Sequence, residues 1–336
     1  MRWVIPICGA LVAIGAIFLL YRDLNLARLA AALTGAKIGW IAVLGAAILL
    51  EHLIQGWKWR QLLFDLRPVS SLRLTGAVLA GYAANFAVPL GVSPLVRSWL
   101  VARLEGLRLA TVLVTTAISR FIDGIVFAFF ATAVAFSGRL PKVEGDLEIG
   151  LMVAGGLNLL LFATVLWGLY ASRDRLSQEG PLISRALDWL ARRGGGRLSG
   201  LRQAIAEGVV WPRARFRQFA IVGASVAMKL VASTHFAWAG LAVGVYLGLF
   251  DYLFLMIFAG FALILARFIR LPGGFAVGSA FALKLLDVPD EKAVAMILFS
   301  QSVSTILVAG IGFTVLWRNG MRVRSIRPAE PKPGAL

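Results

Sequence analysis

Arg97, Arg120, Arg267 and Arg270 lie within or beside apolar runs of the chain, as do Asp123, Glu51 and Lys229. Ionisable side chains inside a membrane-spanning segment are rare, and they mark the paths of substrates, ions or protons. Guanidinium forks beside free backbone N–H groups bind anions, phosphate above all, through paired charge-assisted hydrogen bonds. The arginines flank two interruptions. Pro89-Leu90-Gly91, followed by Pro94, comes before Arg97, and Leu271-Pro272-Gly273-Gly274 comes after Arg267 and Arg270. Broken backbone at membrane depth survives only where protein buries it or a wet cavity solvates it. Paired interruptions in two halves of a chain point to the binding site of a transporter. Gly91, Gly273 and Gly274 permit tight turns and close backbone approach. The chemistry implied is anion binding between two broken helices, by Arg97, Arg120, Arg267 and Arg270.

Blander readings stand beside this one. Arg120 and Asp123 are three residues apart on one helix face, so a local ion pair is easy to form. That pair would either orient Arg120 or merely neutralise it. Glu51 and Lys229 precede the two interruptions and would face each other across the halves, as a gate or as a passive pair. Arg267 and Arg270 would equally suit the snorkelling end of a short helix. His52 and His235 read as core residues. No His, Asp or Glu cluster has metal-ligand spacing and no nucleophile has a placed base, so no enzyme, metal or cofactor is expected.

The elements that must hold these residues follow from apolar length and charge. The 336 residues are 59% hydrophobic and 15% charged, with mean hydropathy +0.82, which places the chain among integral membrane proteins. Helical-length apolar stretches without strand alternation make it all-α. The formal charge of +17 sits mainly between apolar segments, which fits the positive-inside bias and gives no ground for nucleic acid. A single cysteine, Cys8, excludes an intrachain disulfide. Spans are expected over 3–21 (read as an uncleaved anchor), 38–57, 110–136, 149–170, 219–245 and 293–317, with an amphipathic piece over 22–37. The loop from Lys58 to Arg73 holds four basic residues and one acid, and Arg173 to Arg217 holds ten arginines and four acids. Both should be cytoplasmic, the second as a basic amphipathic linker. The two broken elements, about 74–104 and about 252–286, then enter from opposite sides. That is an inverted repeat of re-entrant hairpins.

Asn85-x3-Pro89-x-Gly91-x5-Arg97, Arg120-x2-Asp123 and Pro272-Gly273-Gly274 resemble the motifs of the lysylphosphatidylglycerol synthase transmembrane, or flippase-like, family. Its members include the flippase half of bacterial multiple-peptide-resistance factors, archaeal dolichol-glycan-associated proteins and a hopanoid-associated branch. The resemblance spans about residues 5–318 and implies a lipid-handling membrane protein, with Asn85 added to the headgroup-binding set. This chain departs from the pattern where Ser93-Pro94 replaces Gly-Glu, Ser119-Arg120 replaces Glu-Arg, and the acid that the family has near the position of Ser279 is missing. Arginines kept while carboxylates are lost suit a plainly anionic lipid better than a lysylated one. Synthase activity is not implied, because no aminoacyl-transferase domain follows Trp317.

The expectation is therefore an all-α polytopic inner-membrane protein of bacterial type. Residues 1–172 and 218–318 form two inverted halves, 173–217 the linker and 319–336 a basic tail, with both termini cytoplasmic. Its partners are membrane lipids, anionic phospholipid or polyprenyl phosphate, and a homo-oligomer is left open. A non-transporting scaffold for envelope enzymes and a small-solute or ion transporter are the alternatives.

Overall fold

A computed structural model of the chain describes residues 24–87, 91–137, 146–171, 212, 214–268 and 273–320. Ten helices fall within them: α1 (Leu26–Thr34), α2 (Ile38–Leu63), α3 (Ser71–Ala87), α4 (Ser93–Glu105), α5 (Leu109–Ala135), α6 (Asp146–Ala171), α7 (Arg215–Ala242), α8 (Leu249–Phe268), α9 (Gly274–Leu285) and α10 (Asp290–Arg318). No strand occurs among the described residues. Four helices, α2, α5, α7 and α10, are long and apolar enough to cross a bilayer. The expected anchor over 3–21, the Gly194-Gly195-Gly196 break with nearly all of the basic linker, and the tail from 321 lie outside the described residues.

Helix lengths explain the division of labour. α3 and α4 have 17 and 13 residues and α9 has 12. At 1.5 Å per residue these run about 26, 20 and 18 Å, short of roughly 30 Å of hydrocarbon. They are parts of two helical hairpins. In the first, Arg73 at the start of α3 bonds Glu105 at the end of α4 at 2.8 Å, so the chain returns to the level from which it departed. In the second, Gly278 of α9 lies against Ala259 and Ala262 of α8, and Phe258 stacks on Phe281. Each second arm is preceded by a glycine with left-handed backbone, Gly91 at φ 71° and Gly273 at φ 77°. A Cβ at either position would be strained, which is why glycine stands at both turns.

The helices pack in pairs that exchange with one another. If α2, α3, α4 and α5 are matched to α7, α8, α9 and α10, the α3–α10 contact becomes α8–α5. Likewise α2–α3 becomes α7–α8, α3–α4 becomes α8–α9, α4–α5 becomes α9–α10, and α2–α5 becomes α7–α10. All of these contacts are present. The α2–α7 contact maps onto itself, and it is antiparallel. Lys37 N bonds Ala242 O at one end of it, Glu51 faces His235 in the middle, and Arg217 bonds Gln61 at the other end.

Charge divides the two ends of the bundle. One end gathers Arg60, Arg67, Arg73, Arg217 and Arg318 near the ends of α2, α3, α7 and α10. The other carries Asp251, Asp287, Asp290 and Glu291 with Lys37, Lys284 and Lys292. At the basic end the Arg217 guanidinium sits 3.3 Å from the Phe64 ring centroid.

Small residues let the broken hairpin approach the last span. A Cβ added at Gly312 of α10 would meet the Leu79 carbonyl oxygen of α3 at 2.4 Å, whereas one at Gly310 would meet nothing within 4 Å. Gly312→Ala should therefore cost about 1–3 kcal/mol by overpacking. Gly310→Ala should be neutral or slightly stabilising. Thermal unfolding of the two variants in detergent checks the contrast.

Candidate functional site

The most deeply buried charge was assigned to the wrong environment by sequence. The expected span ends at 57, with Lys58 opening a loop. Instead α2 continues to Leu63, and Lys58 is 0% exposed. Its ammonium pairs with Asp123 of α5 and donates to Ser225 Oγ of α7 at 3.3 Å. Ser225 Oγ also donates to Asp123 Oδ1 at 3.0 Å. One acid, one base and one hydroxyl thus tie three helices together. Hydrogen bonding around a buried ion pair offsets desolvation that Coulomb attraction alone repays poorly.

Because Lys58 holds Asp123, the expected local pair between Arg120 and Asp123 is not the arrangement found. Arg120 reaches across to α3, where its Nη2 donates to the Tyr82 hydroxyl at 3.0 Å and its guanidinium lies 5.7 Å from the ring centroid. Gln55 Nε2 of α2 donates to the same hydroxyl at 3.3 Å. His52 packs edge-on against Tyr82, while its Nδ1–H donates to the Ile48 carbonyl at 2.7 Å. Tyr82 therefore acts as an acceptor that fixes Arg120 near the middle of α5. Arg120 is nevertheless accessible, unlike its neighbours Ser119 and Ile122 on the same helix. An accessible guanidinium at mid-helix requires a polar opening, because hydrocarbon cannot solvate it.

Arg97 is different, being 3% exposed. Its guanidinium stacks 5.4 Å over the Trp59 ring, and its Nε has no hydrogen-bond partner among the described residues. Trp59 is itself anchored through Nε1 to Thr115 Oγ1 at 3.2 Å. One turn before Arg97, the Ser93 hydroxyl is likewise buried without a partner. The close approach of α3 causes this crowding, since a Cβ on Gly81 would meet Ser93 O at 2.7 Å and Arg97 Cβ at 3.1 Å. Asn85, expected to bind a headgroup, has its side-chain oxygen committed to Ser93 N at 2.9 Å. It acts as the cap that α4 lacks from its own Val92. In the second hairpin, Ser279 stands six residues after Gly273, as Arg97 stands six after Gly91. Ser279 is 0% exposed, and its hydroxyl too has no partner.

The remaining expected residues are distributed as follows. Glu51 meets His235, Oε2 to Nε2 at 3.6 Å, and Lys229 lies 5.5 Å from the Phe127 ring centroid, so the two do not pair with each other. Pro89, Pro272 and Arg270 lie outside the described residues, as does the side chain of Arg267. Gly274 is buried as the first residue of α9. No group of three or more His, Cys, Asp or Glu able to hold a metal occurs among the described residues. Between the charged ends, α2 to α7 carry four cationic side chains, Lys58, Arg97, Arg120 and Lys229, against two carboxylates, Glu51 and Asp123. The region is short of negative charge.

The profile of the lysylphosphatidylglycerol synthase transmembrane region matches residues 7–312. The chain belongs to that family. Membership of this family makes it a multi-pass membrane protein connected with lipid handling, in agreement with its apolar helices. Among curated proteins and solved structures, none shows significant similarity to the chain. Two motif stretches by which the sequence resembled the family fall on the first hairpin and on α5, where Arg97, Arg120 and Asp123 are found. Sequence reasoning missed Lys58, Tyr82, Gln55 and Ser225. The apolar residues Leu62, Leu63 and Phe64 beyond Lys58 were the available signal for the first.

Removal of one partner from the Lys58–Asp123 pair should expose the cost of an isolated buried charge. Lys58→Ala or Asp123→Ala is expected to destabilise the fold by about 3–5 kcal/mol. Joint replacement by Lys58→Met and Asp123→Leu should recover most of that loss. Denaturant unfolding in mixed micelles measures all three.

Proposed function

We propose that this protein carries an anionic, phosphate-bearing lipid between the leaflets of the membrane, holding the headgroup at Arg97 and Arg120. The observation that supports this best is the accessible Arg120 guanidinium, held in place by Tyr82 near the middle of a spanning helix. Buried nearby on the other arm of the hairpin, Arg97 lacks any hydrogen-bond partner for its Nε. A cation surplus in a low-dielectric region attracts an anion, and two guanidinium groups suit phosphate oxygens. The family's link to lipid handling supports a lipid as the molecule that bears this phosphate. In sequence Arg267 and Arg270 precede the Pro272-Gly273-Gly274 interruption, and they are proposed as further headgroup ligands.

The topology that suits this task is an inverted repeat. Exchange of helix contacts between α2–α5 and α7–α10, with α2 and α7 antiparallel, is what a two-fold axis in the membrane plane produces. Under the positive-inside rule the end bearing Arg60, Arg73, Arg217 and Arg318 faces the cytoplasm. The first hairpin then dips in from the cytoplasmic side and the second from the outside, in an inner membrane. Catalysis is not part of this role; the protein acts as a carrier, and lysylation of lipid is assigned elsewhere.

Purified protein in liposomes with a fluorescent phosphatidylglycerol should accelerate loss of dithionite-protected signal. Arg120→Ala should reduce that acceleration at least tenfold, with Arg97→Ala close behind. Lipid exchange no faster than in protein-free vesicles, for phosphatidylglycerol and polyprenyl phosphate alike, would rule out the carrier.

A further inference from the structure

Glu51 and His235 face each other in the middle of the antiparallel α2–α7 seam, where the two halves of the molecule meet. Glu51 Oε2 and His235 Nε2 are 3.6 Å apart, and that nitrogen is buried without a hydrogen-bond partner among the described residues. The Glu51 side chain is 25% exposed and His235 15%, so water reaches the pair only narrowly. A carboxylate facing an imidazole nitrogen at this spacing lacks one thing, a proton between them. With the proton the pair is neutral; without it the pair carries one negative charge away from bulk water, which needs a compensating cation.

The turn of α2 that bears Glu51 also bears His52 and Gln55, and both contact Tyr82, which receives Arg120. The titratable pair is therefore linked to Arg120 through one turn of α2 and the Tyr82 side chain of α3. The other ionisable groups near the seam are His52 on α2, Lys229 on α7, Tyr82 on α3, and Arg120 with Asp123 on α5. Asp123 is already neutralised by Lys58. The charged residues of α8 and α10, namely Asp251, Arg267, Asp290, Glu291, Lys292 and Arg318, stand at the ends of those helices.

We infer that Glu51 and His235 form a proton site linked to the headgroup site, which takes up a proton when an anionic headgroup binds and releases it when the headgroup leaves. This rests on the anion-binding reading above. While the arginines are unliganded, their positive potential and that of Lys229 disfavour a proton between Oε2 and Nε2. An anion bound at Arg97 and Arg120 cancels that potential. A proton then passes from water to the pair and lies between Oε2 and Nε2, with no other bond made or broken. Linkage makes the effect reciprocal, so a proton gradient would bias the direction of lipid movement.

The test uses the whole protein in detergent, weakly buffered near neutral pH, with dihexanoyl phosphatidylglycerol as the probe. Binding is followed by calorimetry and proton uptake by a pH-sensitive dye. Wild type should take up as much as about one proton per lipid bound. Glu51→Gln and His235→Gln should each bind the lipid with that uptake lost, and dihexanoyl phosphatidylcholine should give little of either signal. Lipid binding without uptake in wild type, or wild-type uptake in both variants, would overturn the proton site and leave the anion site standing. Absence of any binding of the anionic lipid would overturn both.

Discussion

A charge that leaves water must find its opposite or a polar cavity, and this requirement organises the interior of the protein. Lys58 and Asp123 meet the first condition: each is held by the other, and Ser225 occupies a further lone pair. The three residues come from α2, α5 and α7, so satisfying them fixes the distance between spans that the chain separates by as many as 167 positions. Without a hydrophobic force between helices in lipid, such polar ties and small-residue contacts are what hold spans in one arrangement. Arg120 meets the second condition, reaching a phenol and remaining accessible. Arg97 meets neither fully, having an aromatic face and no hydrogen-bond partner for Nε. The gradation runs from Lys58, fully paired, to Arg97, whose Nε is unpaired.

The exchange of contacts between the two sets of four helices gives this interior its plan. Within it α2 and α7 run oppositely, from the Lys37–Ala242 hydrogen bond to the Arg217–Gln61 hydrogen bond. Residues of the two helices consequently meet at matching depth along one seam. Trp40 stacks on Trp238 near one end, Glu51 faces His235 in the middle, and Lys58 meets Ser225 toward the other. The two hairpins flank that seam without being equal. At the position where the first hairpin has the buried Arg97, the second has the buried Ser279.

Much of this was legible in the residues. Apolar length and the punctuation at Gly91 and Gly273 located the helices to within a few positions, because bilayer thickness and left-handed turns are local constraints. The end of α2 was misread because tryptophans mark interfaces on average, while Trp59 here is a buried support for Arg97. Pairings were legible only where sequence spacing sets them. An i, i+3 rule offered Arg120 to Asp123, but a lysine from 65 positions away supplied the better partner. Nothing local to Asp123 announces that. In the same way Glu51 had two cationic or titratable candidates on α7, and only the rotation of that helix decides for His235 over Lys229.

Three serines on the hairpins and on α5 are deeply buried. Ser93, Ser119 and Ser279 are 2%, 5% and 0% exposed, and the hydroxyls of Ser93 and Ser279 are without partners. Hydroxyls at such positions neither neutralise an arginine nor reach across a cavity as a carboxylate would. Cationic surplus beside Arg97 and Arg120 is a matter of composition, with four cationic side chains against two carboxylates between the charged ends of α2 to α7. A lysylated headgroup would add positive charge to a region that already lacks carboxylates, at a cost that grows as the dielectric falls. On the carrier reading, a phosphate without a cationic substituent would supply the missing charge itself. Glu51 and Asp123 are the two carboxylates between the charged ends of α2 to α7; Lys58 occupies Asp123, whereas Glu51 faces a histidine.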